Sequence, residues 1–346
     1  MQQNFILTDV MKTGFHVDME EFINLHSLHD QSFTMTGEYY TLHNYDLDVF
    51  DRKIAFIDRT KLYKTHPSHN PEFRKELDKR LSLLHSQGFK MIYTSPWESK
   101  QNISEMELYP PFENNQMLWH GGVSWFWFYM YRKYRNKILN FTHNTKKFDF
   151  LYLNKQPRTH RQKLYHRMQS NKLLDSSLFT YWPEFKLSLE YELPWVTQYP
   201  PNGLDQEIYE KPFNDTKYNL VSETNDNNTD VFMTEKIWKP IIAKQVFIVH
   251  GNHLYLQKLR ELGFKTFNSY FDESYDLESD PDERIELIVS LCETLLKKDW
   301  RDLYLQTIAL RQHNYDNFFN LEKLQQQINK TLIGFFEFVD SGKISS

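Results

Sequence analysis

The chain has 346 residues, 40% of them hydrophobic and 25% charged, with 10 glycines, one cysteine and a net charge of −5. That length allows two domains of ordinary size, each burying its own core. The lone Cys292 excludes an intrachain disulfide and fits a reducing compartment, and the absence of any Gly-x-Gly-x-x-Gly or Gly-x-x-x-x-Gly-Lys loop argues against a dinucleotide dehydrogenase or a P-loop NTPase.

Residues 1 to about 52 are polar and only weakly periodic. Met1 to Thr13 shows no basic region followed by an apolar run, so no signal peptide is expected. Lys53–Asp58 reads as a buried strand ending in an acid. Asn70-Pro71-Glu72 predicts a helix start, with Leu77, Leu81 and Leu84 at helical spacing up to Gly88. Phe89–Thr94 predicts the next strand, and the three together make a parallel βαβ unit. Glu98 follows in Ser95-Pro96-Trp97-Glu98-Ser99, just beyond a strand's carboxyl end, where ligands of open parallel sheets bind. It is the candidate catalytic carboxylate; a solvated loop glutamate is the alternative.

Trp119–Asn136 predicts a helix after the glycine pair, aromatic on every face and then abruptly basic. Such a stretch either stacks on bases and grips a nucleic-acid backbone or packs a core. Its longest aromatic run, Trp125–Tyr131, is seven residues, far short of the ~20 apolar residues of a membrane helix, so no integral membrane contact is expected. From Arg132 to Leu174 twelve Lys/Arg face a single acid, Asp149, a balance of +11. From Asp272 to Glu286 eight acids face Arg284 alone. The basic stretch therefore predicts a phosphate or polyanion as ligand.

Phe141–Lys147 reads as the interdomain connection. Phe148–Asn154 predicts a strand, 155–161 a basic loop and Gln162–Lys172 a helix, an arrangement that binds phosphate; Arg158 and Arg161 are the candidate diphosphate contacts. Ser177–Trp182 predicts a strand, Pro183–Asp215 an extended excursion with five prolines, and Tyr218–Ser222 a strand leading to Glu223. Thr234 then caps a short helix, Glu235–Ala243, that feeds the apolar strand Val246–Val249 and ends at Gly251. Lys236 in the first turn adds a full charge to the positive helix end, and Glu235 can accept from sugar hydroxyls, so the pair describes a nucleotide site. An ordinary buried helix–strand unit fits the same spacing. Pro240 predicts a kinked or late-starting helix. Asp280-Pro281-Asp282-Glu283 has the form of a helix start with a capping box, and helical periodicity fills 297–313 and 321–339.

Taken together, residues 148–251 resemble the α1,3-fucosyltransferases of glycosyltransferase family 10. The match rests on Asn219–Glu223, Asp230, Thr234-Glu235-Lys236-Ile237-Trp238 and, twelve residues from the threonine, Val246-x-Ile248-Val249-x-Gly251; upstream, Asn154 and Arg161 stand seven apart as in the family. The family's Glu-Asn-Ser reads Glu223-Thr224-Asn225 here, and the following loop is two residues longer. The resemblance implies an α/β GT-B fold, two Rossmann-like domains with parallel sheets facing a central cleft. The domains expected are 1–143 on the acceptor side, 144–312 for the nucleotide sugar, and a helix over 313–346 that crosses back.

It also implies donor binding by Asn154, Arg158, Arg161, Glu223, Thr234, Glu235 and Lys236, with Glu235 on the ribose and Lys236 and Arg161 on the diphosphate. Glu98 is the closest counterpart of the family's carboxylate that inverts the anomeric centre. No metal or cofactor is expected beyond a nucleotide-sugar co-substrate such as a GDP- or UDP-sugar. The acceptor expected is a glycan or a hydroxylated base in DNA, and the location cytoplasmic, in the host if the source is viral. The competing function is a non-enzymatic nucleic-acid-binding protein built on the basic-aromatic segment 125–172.

Overall fold

The computed structural model describes residues 3–9, 31–36, 52–58, 71–95, 116–120, 122–142, 146–154, 158–180, 207–226, 231–328 and 330. The chain divides into two compact units, Met1–Phe128 with Leu321–Ser346, and Tyr129–Asn320.

In the first unit, strands β1 (Gln3–Asp9), β2 (Gln31–Thr36), β3 (Arg52–Asp58), β4 (Lys90–Ser95) and β5 (Gln116–His120) form one parallel sheet in the order β2-β1-β3-β4-β5. Helix α1 (Pro71–Ser86) supplies the predicted crossover from β3 to β4, with Leu81 and Leu84 fully buried. Gly88 ends it at φ +81°, a left-handed conformation that costs glycine little. β1 and β2 lie within residues 1–52, where the weak periodicity had marked no element. In β1 only Phe5-Ile6-Leu7 are apolar, a run too short to separate from loop by periodicity. β5 was likewise absorbed into the aromatic helix that follows it, α2 (Gly122–Tyr134).

The second unit holds β6 (Phe148–Leu153), β7 (Leu178–Thr180), β8 (Thr216–Ser222) and β9 (Val246–His250), again all parallel, in the order β7-β6-β8-β9. Helix α3 (Thr159–Ser170) joins β6 to β7. Helix α4 (Glu210–Asp215) ends the predicted excursion, and α5 (Glu235–Ile242) joins β8 to β9. The two crossovers step in opposite directions from the centre of the sheet, and right-handed connections then place α3 and α5 on opposite faces. α3 packs with α7 (Pro281–Leu296), and α5 packs with α9 (Ile308–Phe318). The central strands bury Phe150, Leu151 and Tyr152 of β6 and Tyr218, Leu220 and Val221 of β8, as a sheet covered on both faces requires. Trp238 of α5 is fully buried between Phe264 and Phe318, with ring centroids 5.4 and 5.7 Å away.

Four local expectations are corrected. α5 starts at Glu235 and runs through Pro240, so the proline does not delay it; Pro240 stands in the last turn. α3 starts at Thr159 rather than Gln162, which moves Arg161 from a loop into the first helical turn. At α7, Asp280 caps the amides of Asp282 and Glu283, but Glu278 and not Glu283 accepts from the Asp280 amide. A short helix, α6 (Tyr255–Glu261), follows β9, and Thr307 separates α8 (Trp300–Gln306) from α9 where one helix was expected over 297–313.

Candidate functional site

In the second sheet the winding reverses between β6 and β8, the switch point outside whose carboxyl ends ligands of open α/β sheets bind. A cavity of about 220 Å³ opens there. Its apolar lining is Leu153, Leu220, Val221 and Phe213. Its charged lining is four cations, Arg158, Arg161, Lys236 and Lys239, against one carboxylate, Glu235. The excess of positive charge on a partly apolar wall suits an anion attached to an apolar group.

The start of α5 supplies one side. Thr234 has extended backbone and its hydroxyl accepts from the Lys236 amide, the N-cap expected from the sequence. The same hydroxyl donates to Glu223 Oε2 at 2.6 Å, and the Thr234 amide donates to Glu223 Oε1 at 3.1 Å. Tyr255, from the start of α6, donates its phenol to Oε1 at 2.8 Å. Glu223 is thus a buried post, 0% exposed, tying the end of β8 to the starts of two helices. Burial pushes its carboxyl up, and the Lys236 charge and the Thr234 bonds offset part of that push. Lys236 Nζ lies 2.7 Å from Glu235 Oε1, 2.9 Å from Thr234 Oγ1 and 3.4 Å from Thr224 Oγ1. Burial would raise the Glu235 carboxyl, but Lys236 and Lys239 hold it below the ordinary value, so it stays an acceptor.

The start of α3 supplies the other side, and it is built differently. Its N-cap position is Arg158, which makes no capping bond, and no acid stands in its first turn. The amides of that turn carry positive partial charge, and the Asp226 carboxylate lies 3.5 Å from His160 within it. Arg161, 3% exposed, turns inward: Nε and Nη2 donate to the Glu223 carbonyl at 3.2 and 2.9 Å, and Nη2 also to that of Ser222 at 3.2 Å. Asn154, at the end of β6, is anchored through its backbone, its amide donating to Thr180 Oγ1 and its carbonyl accepting from the same hydroxyl. Its side-chain amide is 3% exposed, lines the cavity, and has no hydrogen-bond partner at either Nδ2 or Oδ1. An unmatched buried amide costs about 1–3 kcal/mol, a cost that a ligand offering both a donor and an acceptor removes.

A second cavity of about 480 Å³ adjoins the first, sharing Arg158 and Thr224, and is lined further by His160, Asn225, Asp226 and Asp282. Among the described residues no group of three or more His, Cys, Asp or Glu could hold a metal ion, and no helix is long and apolar enough to cross a membrane.

The fold therefore gathers Asn154, Arg158, Arg161, Glu223, Thr234, Glu235 and Lys236 at one edge of one sheet, with Glu223 and Thr234 as supports beneath the cavity. Glu98 lies outside the described residues. The sequence reading gave no site role to Lys239, one helical turn beyond Lys236, or to Asn219, Ser222 and Thr224, which it quoted only as part of the motif and which line the cavity. It also passed over Asp9, which with Asp58 ends the two strands at the switch point of the first sheet.

The +11 segment is partly answered within the chain. Lys133 and Lys137 pair with Glu207, Lys147 with Asp215, Lys163 with Asp282 and Arg167 with Glu286, the last two acids belonging to the acidic run. In α2, Trp127, Phe128 and Met130 are fully buried, so these side chains fill a core and present no stacking surface.

No protein-family profile matches the chain, and no curated protein matches it. Among solved structures, the chain is similar to the crystal structure of an α1,3-fucosyltransferase with GDP-fucose, with a TM-score of 0.45 and 11% identity, over 96% of this chain and 92% of that one.

Proposed function

We propose that the chain is a glycosyltransferase that moves a sugar from a nucleotide-sugar donor to an acceptor hydroxyl, inverting and without a metal. The proposal includes a GT-B arrangement, with an acceptor-side domain 1–143, a donor domain 144–312 and a returning helix over 313–346. One observation carries the donor site: the Asn154 amide, buried with both atoms unmatched, faces a cavity of four cations and one carboxylate at a sheet switch point. The motif resemblance of residues 148–251 supports the same reading.

In this account Lys236, Arg158 and Arg161, with the open start of α3, neutralise the charge that grows on the departing diphosphate. Glu235 accepts from the ribose hydroxyls, exchanging part of its pairing with Lys236 for the ligand. Glu98 takes the proton of the acceptor hydroxyl as its oxygen attacks the anomeric carbon and the bond to the diphosphate breaks. A glycan or a hydroxylated base in DNA is the acceptor.

A thermal-shift panel of GDP-, UDP- and other nucleotide sugars tests the donor site, because a ligand at 100 times its Kd stabilises the fold by about 2.7 kcal/mol. No shift with any of them would refute the reading. Glu98→Gln is expected to lower kcat by ~10²–10⁴-fold; full activity would transfer the role of base to Asp58.

A further inference from the structure

Beneath the cavity, three titratable side chains meet that the reaction does not use. His160 comes from the first turn of α3, Asp226 from the segment after β8, and His250 from the end of β9. His160 Nε2 lies 3.0 Å from the Glu223 carbonyl. A carbonyl only accepts, so that nitrogen carries the hydrogen and the neutral ring has its lone pair on Nδ1. Nδ1 in turn lies 3.5 Å from Asp226 Oδ1, so in the neutral ring two acceptors face each other. A proton on Nδ1 converts that opposition into an ion pair.

His250 is the poorer site for that proton, because its complete burial, then the neighbouring His160 and Arg284, hold it well below the ordinary imidazole value. Its Nδ1 lies 3.3 Å from the Ser222 hydroxyl, and its Nε2 is fully buried, 3.9 Å from Asp226 Oδ2 and without a hydrogen-bond partner. The two imidazole rings stand edge to face at 5.4 Å, so protonating both would set like charges side by side.

We propose that anion binding at the open start of α3 takes up one proton from solvent onto His160 Nδ1, which then donates to Asp226. The helix end is joined here by independent evidence of a ligand, the unmatched and buried Asn154 amide in the adjoining cavity. The identity of the anion as a nucleotide sugar rests on the function proposed above; the proton linkage rests on the geometry alone.

The charges around the ring fix the sign. Asp226 favours the imidazolium. Against it stand Arg158 and Arg161 on its own helix and the neighbouring His250, while Arg284 from α7 donates to the Asp226 carbonyl at 2.8 Å. Asp280 and Asp282 line the same second cavity, and Lys163 is paired with Asp282. In the free protein burial, then the two arginines, hold His160 below the ordinary imidazole value in spite of Asp226. An anion on Arg158 offsets their repulsion and raises it. Ligand affinity is therefore greatest below the free-state pKa of His160, falls by up to about tenfold per pH unit between the free and bound values, and levels off above the bound value.

Nucleotide sugars suit the test because their diester phosphates do not titrate in this range. Binding to the full-length protein is measured by calorimetry from pH 5.5 to 8 in buffers of different ionisation heat. Net uptake approaching one proton is expected for the wild type. His160→Gln keeps a donor for the Glu223 carbonyl but cannot titrate, and is expected to bind with a flat pH profile. Asp226→Asn, with a matching thermal melt, is expected to move the slope to lower pH. Sulfate, which also does not titrate, is the probe for the linkage itself: adding it should shift the His160 Cε1–H titration upward, with His160→Gln assigning the signal. Nucleotide-sugar binding without proton uptake, or a slope that survives in His160→Gln, overturns the linkage and leaves the donor site standing. A sulfate-dependent His160 shift without nucleotide-sugar binding overturns the donor reading and leaves the linkage.

Discussion

Two helices begin at the same edge of the second sheet, and they treat their free amides in opposite ways. α5 is closed by its own side chains: Thr234 caps it, Glu235 stands in its first turn, and Lys236 is drawn onto both. α3 begins with Arg158, has no side-chain cap and no acid in its first turn, and is held by Arg161 and His160 reaching back to the Glu223 carbonyl. A helix end closed by its own side chains needs no ligand, whereas one with no side-chain cap that gathers Arg158 and Arg161 favours an anion. The contrast assigns rigid positioning to α5 and charge capture to α3.

The largest expected effect comes from removing the cation in the first turn of α5. Lys236→Ala should lower kcat/KM by about 10²–10³-fold, the scale of losing one fixed donor at a developing anion, with the melting temperature close to wild type; turnover at the wild-type rate would refute the phosphate assignment. On the other helix, Arg158→Ala should weaken nucleotide-sugar binding by about 10–100-fold, as for a lost charge-assisted hydrogen bond. Equal loss in both variants with unchanged kcat would make the two helix starts equivalent and dissolve the contrast.

Asn154→Leu separates binding from folding. It should raise the donor Kd by about tenfold while leaving stability unchanged or improved, because a buried unmatched amide is removed. A clear fall in stability would mean that Asn154 serves the fold. The smallest effect belongs to the cap. Thr234→Val removes the hydroxyl that accepts from the Lys236 amide and donates to Glu223, a loss of about 1 kcal/mol and a fall of about 2–4 °C in Tm, read by calorimetric melting.

The features legible in the chain were those whose signal is local. Thr234, Asp280 with Pro281, and Gly88 each mark a helix end through the chemistry of a few neighbouring residues, and each stands where the sequence placed it. The strands β3, β6, β8 and β9 were equally readable, because strands buried on both faces are rich in hydrophobic residues, with only isolated polar positions such as Asp149 and Asn219 between them. β1 and β2 were not, since neither an apolar run of three nor a polar alternation of six residues outweighs the surrounding loop composition.

Arg161 was picked out as a cation near phosphate, yet its bonds to the Ser222 and Glu223 carbonyls could not be read, because those partners lie about sixty residues away. Gly251 is a different case: its position at a strand end was evident, but a Cβ there would stand 2.6 Å from the ring of Tyr255 at the start of α6, a conflict set by the turn that leads from β9 into that helix.

By itself the sequence determined the parallel α/β character, the helix ends and the identity of the residues bracketing an anion, since periodicity, capping and charge act within a few positions of one another. Only the tertiary structure decided which cations are spent on partners within the chain and which line the cavity. It also decided that Glu223 is a buried post, that the Asn154 side-chain amide has no partner and that His160 Nδ1 faces Asp226. Those outcomes depend on which strand ends the crossovers bring together, and burial, the term that fixes the cost of each charge, is a property of that assembly rather than of any stretch of chain.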